Sequence, residues 1–422
     1  MFQIKRLYFA LLPVAAALAG TLLLMAAALI PTAAVEENTF RSAAELNDDM
    51  GPLLGDDRMA YIMDYNTDAL IIMESYTLSS DNLRSVFLNP MRYNGEDTQR
   101  RSFAELCGGE DTNTDYVRYW MGFRIFIRPL LCVFSYNGIC WIISIVFFLF
   151  AFAAVALTQS AAGHYPAICL GAAIALINPA ISAHSPQFAS CFLLGFLFCA
   201  AALKRSEDDG AYVFLFCIFG ALTQYFDFYT APVVTLGLPL ILIIETRRIR
   251  EKRFAKTLAI IGAWLYGYVM MWICKLALTT VFTDVNGFYD GLGSFFGRVG
   301  IRVVDGSEQY YNGAMALRSV WSVAFPGSLT VLTAAVFGAA LIAATVLYVI
   351  FGRREDKEYA ASMLVITLLP FLWYAAAAQP SNIHAWFQYR GLAVVFFGAP
   401  LYIGRAIKLV SAPRKSEMSS TV

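Results

Sequence analysis

Carboxylates gather in one polar stretch of this 422-residue chain: residues 35–118 hold 17 of its 31 acidic side chains, among them Asp56, Asp57, Asp64 and Asp68. After Asp64, the apolar positions Leu70, Ile71, Ile72, Met73, Tyr76 and Leu78 predict a partly buried helix opened by Asn66 or Thr67 as N-cap. A carboxylate held there, close to a membrane surface, has the chemistry to deprotonate an acceptor hydroxyl as general base. The plainer alternative is that Asp68 only complements the positive helix N-terminus.

Arginines and aromatics interleave from Tyr116 to Leu131, through Arg118, Trp120, Arg124 and Arg128. Arg124 and Arg128 are four apart and share a helical face. The pattern predicts an amphipathic interfacial helix, aromatic side down and basic face toward lipid phosphates. Such a face either anchors the chain generically or clamps a substrate phosphate, which guanidinium matches bidentately. Asp227, in Gln224-Tyr-Phe-Asp227-Phe-Tyr-Thr-Ala-Pro232, is the only carboxylate between Asp209 and Glu245. It reads either as a functional group between two apolar segments or as a cap for the helix starting near Pro232. Lys275 sits inside an apolar run, near enough to its end to snorkel or to meet a substrate. A last polar turn, Gln379–Arg390, sets Asn382, His384, Trp386 and Arg390 beside further aromatics, more than an aromatic belt requires.

The elements that must position these groups are membrane helices. Apolar residues make up 59% and charged residues only 15% of the chain, with mean hydropathy +0.59. Soluble domains carry about 25% charged residues. The 31 basic residues balance the 31 acidic ones, which leaves no basic excess for nucleic acid. Apolar runs fall near 7–30, 138–157, 165–182, 187–203, 211–226, 231–245, 257–281, 327–351, 360–378 and 391–407, predicting about ten transmembrane helices in an all-α integral membrane protein. Pro179 and Pro186 interrupt the third and fourth runs and make a broken hairpin the alternative there. The first run follows Lys5 and Arg6 and precedes a passable cleavage site at Thr32-Ala33-Ala34, but it is longer than a signal-peptide core.

With the N-terminus inside, 17 basic residues fall in the inner segments, against four (Arg298, Arg302, Arg318, Arg390) in the outer loops beyond the first. The positive-inside rule then predicts both termini inside. The chain divides into a first span (1–34), an outer loop with interfacial helices (35–136), a transmembrane bundle with a second outer loop at 282–320 (137–410) and an inner tail (411–422). Every inner loop is short and no Gly-rich phosphate loop is present, so chemistry is expected at the outer face without a cytosolic nucleotide. Seven of the eight cysteines lie in apolar runs, and only Cys107 sits in a polar stretch. With three histidines and no HExxH or CxxC pattern, no zinc site is expected.

These segments together resemble the multi-spanning polyprenol-dependent glycosyltransferases of the GT-C fold. The strings NTDA (66–69), RYWMGFRIFIRPLL (118–131), QYFDFYTAPVVTLGLPL (224–240) and HAWFQYR (384–390) are similar to those of a group of bacterial membrane proteins, with forms such as RYWHGY…RPLL, SYFDF…TYP and HxWFTYR. The likeness runs from about 60 to 400. The chain departs from it at Met121, where that group has His, and at Gln388, where it has Thr. A catalytic role for that histidine therefore does not carry over. GT-C enzymes use a first-loop carboxylate as base or metal ligand and basic residues on the donor phosphate. The resemblance thus implies Asp68 as first candidate for the base, with Asp57 and Asp64 in reserve. It implies Arg118, Arg124, Arg128 and Arg390 as phosphate ligands, and Asp227 and His384 as cavity walls. Lys275, Trp120 and Trp386 complete the candidate substrate contacts. No cofactor is implied beyond an optional divalent metal. The implied partners are a polyprenyl-phosphate-linked sugar, an envelope glycan acceptor and the lipid of a bacterial cytoplasmic membrane.

The function expected is transfer of a sugar from a polyprenyl phosphate to a cell-envelope glycan at the outer face. Competing readings are a flippase or transporter of lipid-linked saccharides, which calls for repeated halves and charges near mid-membrane, a membrane O-acyltransferase with an intramembrane histidine, and a non-catalytic envelope-assembly protein. The glycosyltransferase reading expects Asp68, Asp227, Arg128 and His384 around one cavity of about 300–1,000 Å³.

Overall fold

A computed structural model of the chain describes residues 2–47, 59–80, 84–91, 98–204, 209–249, 251–298, 301–304 and 307–411. The first apolar run forms α1 (Phe2–Ala28). The acidic stretch after it folds into α2 (Thr32–Asn47), α3 (Tyr65–Tyr76), α4 (Arg84–Phe87), α5 (Gln99–Cys107) and α6 (Arg124–Leu131), with β1 (Pro90–Met91) antiparallel to β2 (Thr114–Asp115). The apolar remainder gives α7 (Tyr136–Ala162), α8 (His164–Leu176), α9 (Pro179–Ala183), α10 (Pro186–Lys204), α11 (Asp209–Phe226), α12 (Val233–Glu245) and α13 (Arg253–Phe282). The second polar loop holds α14 (Gly287–Arg298), a hairpin of β3 (Ile301–Val304) and β4 (Ser307–Tyr310), and α15 (Gly313–Ala324). The chain closes with α16 (Leu329–Phe351), α17 (Arg354–Ala376), α18 (Ala378–Ile383), α19 (Ala385–Gln388) and α20 (Ala393–Ser411).

All ten apolar runs are helical. Among the described residues, seven helices are long and apolar enough to cross a membrane, and α8, α11 and α12 are shorter. A helix rises 1.5 Å per residue, so the 13 residues of α12 reach only about 20 Å. Every residue from Val233 to Ile244 is buried. Helices apolar on all sides belong in a core, and α12 packs among α10, α17 and α20. The third run is broken within itself: Asn178 adopts φ 55°, in the left-handed region, ahead of Pro179, and α9 bridges α8 to α10.

Backbone contact locks α11 to α13. A Cβ on Gly220 would lie 1.9 Å from the Trp264 carbonyl oxygen, and one on Gly267 at 1.9 Å from that of Cys217. Small residues are what allow membrane helices this close.

The bundle has two chemically different ends. At one, Glu245 accepts from the Tyr359 hydroxyl, the Arg253 N–H donates to Glu358 at 2.8 Å, and Arg405 pairs with Asp356 at 3.3 Å while lying over the Tyr359 ring. At the other, the first-loop helices cover the ends of the bundle. There the Trp120 indole donates to Met271 O at 2.9 Å, and the Lys275 ammonium donates to Phe87 O.

Candidate functional site

Asp64 opens α3. Its carboxylate accepts the Thr67 N–H at 3.1 Å and the Thr67 hydroxyl at 2.7 Å. The N-cap therefore precedes Asn66 and Thr67: a carboxylate three residues ahead of the orphan N–H satisfies it directly, and Thr67 becomes a donor. Asp68 lies one turn further and is fully buried. It accepts from the Tyr136 hydroxyl at 2.8 Å, the Ser185 hydroxyl at 2.9 Å and the Gln187 N–H at 3.3 Å. Burial pushes its carboxyl up to about 7, against the pull of those donors. Asp68 thus pins α3 to α7 and to the positive N-terminus of α10. It positions its neighbours and does not face open space. Asp57 lies outside the described residues.

The arginines divide. Only Arg124–Leu131 of the aromatic–arginine stretch is helical, and its buried face is Arg124, Ile127, Arg128 and Leu131. The expected orientation is inverted: the basic face points inward, and Phe126 points out at 57% exposure. Arg128 donates to Ser75 O at 2.7 Å, Tyr76 O at 2.9 Å and Ile30 O at 2.6 Å. Arg124 donates to Ser85 O at 2.8 Å and Val86 O at 2.9 Å. Carbonyls at the ends of α1 and α3 are the negative poles of those helices and lack intrahelical donors, so guanidinium satisfies them better than lipid phosphate would. Arg390 is buried as well, donating to the Ser182 hydroxyl at 2.8 Å and stacking 4.1 Å over Phe188. Trp120 is buried in the same sense, and Lys275 does not snorkel: it is buried under Phe87. None of these lines the cavity that Arg118 and His384 share.

Arg118 differs. It is half-buried, lies 5.3 Å over the Tyr116 ring, and its Nε has no hydrogen-bond partner among the described residues. It lines a cavity of about 410 Å³ together with Asp64 and His384. The amides of Gln187, Gln379 and Gln388 and the rings of Tyr116, Tyr119, Phe228, Tyr229 and Phe387 supply much of the remaining wall. His384 is exposed and stacks on Phe387 with ring centroids 5.1 Å apart. Gln388 donates to Tyr229 O at 2.7 Å, while its amide oxygen and that of Gln187 are buried without partners among the described residues. Unpaired buried amide oxygens in a cavity wall are acceptors held ready for hydroxyl donors.

Of the four residues expected around one cavity, His384 alone lines it. Asp68 and Asp227 stand behind the wall, beside Gln187 and Phe228, and Arg128 lies elsewhere, at the junction of α1, α3 and α6. Asp227 accepts the Thr230 N–H at 3.2 Å and shapes the turn that presents Phe228 and Tyr229. Burial pushes its carboxyl up to about 6. Trp386 packs edge-on against Phe188 and Phe387 rather than on the cavity. Gln187 is the wall residue that the sequence signals least, a single polar side chain at the head of an apolar run. Glu74 is a second unforeseen carboxyl: it is fully buried, both oxygens lack hydrogen-bond partners among the described residues, and burial pushes it up to about 8. No group of three His, Cys, Asp or Glu is placed to hold a metal among the described residues. The eight cysteines are free.

No family model, curated protein or solved structure significantly matches the chain.

Proposed function

We propose that the chain is a membrane glycosyltransferase of GT-C-like architecture, moving a sugar from a polyprenyl-phosphate donor to an envelope glycan at the outer face of a bacterial cytoplasmic membrane. One observation carries this reading: a single cavity gathers a carboxylate (Asp64), a cation with an unused donor (Arg118), an imidazole (His384), three amides and a set of aromatic faces. Amides and rings together suit the hydroxyls and apolar faces of sugars. The cation suits a phosphate leaving group.

Asp64 takes the role first assigned to Asp68, because it faces the cavity. In the reaction, an acceptor hydroxyl gives its proton to the Asp64 carboxylate and its oxygen attacks the anomeric carbon. The anomeric carbon–oxygen bond to phosphate breaks, and the electron pair leaves with the polyprenyl phosphate, whose charge Arg118 stabilises. His384 and the glutamines orient the sugars. The architecture proposed is ten spans with both termini inside, α8, α11 and α12 being short spans completed by their neighbours. A saccharide transporter would instead need a path through the bundle, whereas this cavity is lined by loops and helix ends.

The test is turnover by purified protein in nanodiscs, using a polyprenyl phosphate carrying a radiolabelled sugar. Release of polyprenyl phosphate that requires both acceptor glycan and Arg118 supports the reading. Protein that binds the donor and never cleaves it refutes it.

A further inference from the structure

The second polar loop contains a helix that the reaction above does not use. On α14, Phe288, Tyr289, Leu292, Phe295 and Phe296 recur at helical spacing and fall within about a third of the circumference, at 100° per residue. All five are exposed, Tyr289 at 84% and Phe296 at 69%. The other side of the helix is small and polar. A Cβ on Gly287 would meet the Leu276 carbonyl oxygen at 2.6 Å, and one on Gly291 the Leu276 side chain at 2.7 Å, so α14 is pressed flat along the end of α13. Val281 and Phe282 are likewise exposed, at the end of the membrane helix α13 on which α14 packs. Aromatic residues on an amphipathic helix at the end of a span are the signature of the membrane interface.

Along α14 runs a second, open cavity of about 680 Å³, whose walls include Arg118, Asn286, Asp290 and Ser294 and, from the apolar face, Phe288, Tyr289 and Leu292. Arg118 therefore belongs to both cavities. The Asp290 Oδ2 and Arg118 Nε atoms are each buried and unpartnered among the described residues. A cation with a free donor, at the junction of a polar chamber and an open groove lined by apolar side chains of α14, fits an anionic head on an apolar tail.

We infer that α14 lies in the outer-leaflet interface with its aromatic face among lipid chains, and that the open cavity alongside it admits the phosphate head of a membrane lipid sideways to Arg118. The entry route rests on the glycosyltransferase reading only for what the lipid carries. Asp290 is placed to accept a hydroxyl from the group borne on the phosphate, and the tail stays on the aromatic face of α14.

Two measurements on the full chain test this. In liposomes, an environment-sensitive fluorophore is attached at Tyr289→Cys or Phe296→Cys, with Asp111→Cys as a polar-loop control and Cys107, Cys132 and Cys274 replaced by Ala. Brominated lipid should quench positions 289 and 296 at least twofold more than 111. Quenching equal to the control, or energy transfer between two copies labelled at 289, overturns the lipid placement. In nanodiscs, farnesyl phosphate should bind at least tenfold tighter than inorganic phosphate or farnesol, and Arg118→Gln should remove that advantage. Equal binding of inorganic phosphate, or no effect of Arg118→Gln, overturns the portal. Farnesyl phosphate binding without any sugar transfer would leave the portal standing and remove the transferase. Asp64-dependent transfer without quenching at α14 would do the reverse.

Discussion

Arg128 separates a scaffold account of the arginines from a ligand account. In Arg128→Ala, three carbonyl acceptors lose their donor: Ser75 O, Tyr76 O and Ile30 O, now bonded at 2.7, 2.9 and 2.6 Å. A hydrogen bond to a charged group contributes about 1.5–3 kcal/mol. The Ser75 carbonyl is bonded in a buried position, whereas those of Tyr76 and Ile30 are partly reachable by water and lose less. The expected cost is therefore about 3–6 kcal/mol, spread over the junction of α1, α3 and α6. Thermal unfolding in nanodiscs, followed by intrinsic fluorescence, should show a melting temperature lower by the order of 5 °C or more. Arg128→Lys keeps the charge but not the fork, and should fall in between. Arg118→Ala should leave the melting temperature within a degree and reduce ligand binding instead. If Arg128→Ala melts like wild type and loses donor binding, the guanidinium is a ligand and the carbonyl account is wrong.

Burial holds Asp68, Glu74 and Asp227 at about 7, 8 and 6. Between pH 4 and 8 the folded chain thus binds protons that the unfolded chain has released, and stability must fall as pH rises through that window. The melting temperature should be higher at pH 5 than at pH 8, and Glu74→Gln should recover a few kcal/mol at pH 8 and flatten the slope; a flat profile in wild type contradicts the burial. Gly220→Ala forces a methyl into the Trp264 carbonyl and should cost about 3 kcal/mol or more, seen as loss of a monodisperse peak in size-exclusion chromatography. For topology, cysteine at Asp111 should react with an impermeant reagent applied outside intact cells, and cysteine at Lys252 only after permeabilisation.

The helices are legible in the sequence because apolar runs of this length admit no other backbone state in lipid. What the runs do not reveal is how much of an apolar helix is covered by protein; α12 is buried along its whole length, because its neighbours α10, α17 and α20 are set by tertiary packing. The spacing of Arg124 and Arg128 marks a shared face but not what covers it. The carbonyls that cover Arg128 come from residues 53 and 98 positions away. For the same reason Asp64 and Asp68 are indistinguishable by type, and burial by Tyr136 and Ser185 decides between them. The apolar face of α14 is written in the sequence, yet Gly287, Gly291 and Gly293 argue against a helix at about 1 kcal/mol each. Packing on Leu276 overrides that propensity.

In the proposed reaction Asp64, not Asp68, faces the reacting groups. Asparagine caps a helix as well as aspartate does, so Asp64→Asn keeps α3 and its bond to Thr67 while removing the proton acceptor. The measurement is single-turnover sugar transfer from the polyprenyl-phosphate donor by Asp64→Asn, at donor concentrations that saturate wild type. Loss of about 10²–10⁴-fold in rate, with donor binding retained, is the predicted result. Transfer by Asp64→Asn at the wild-type rate would contradict it.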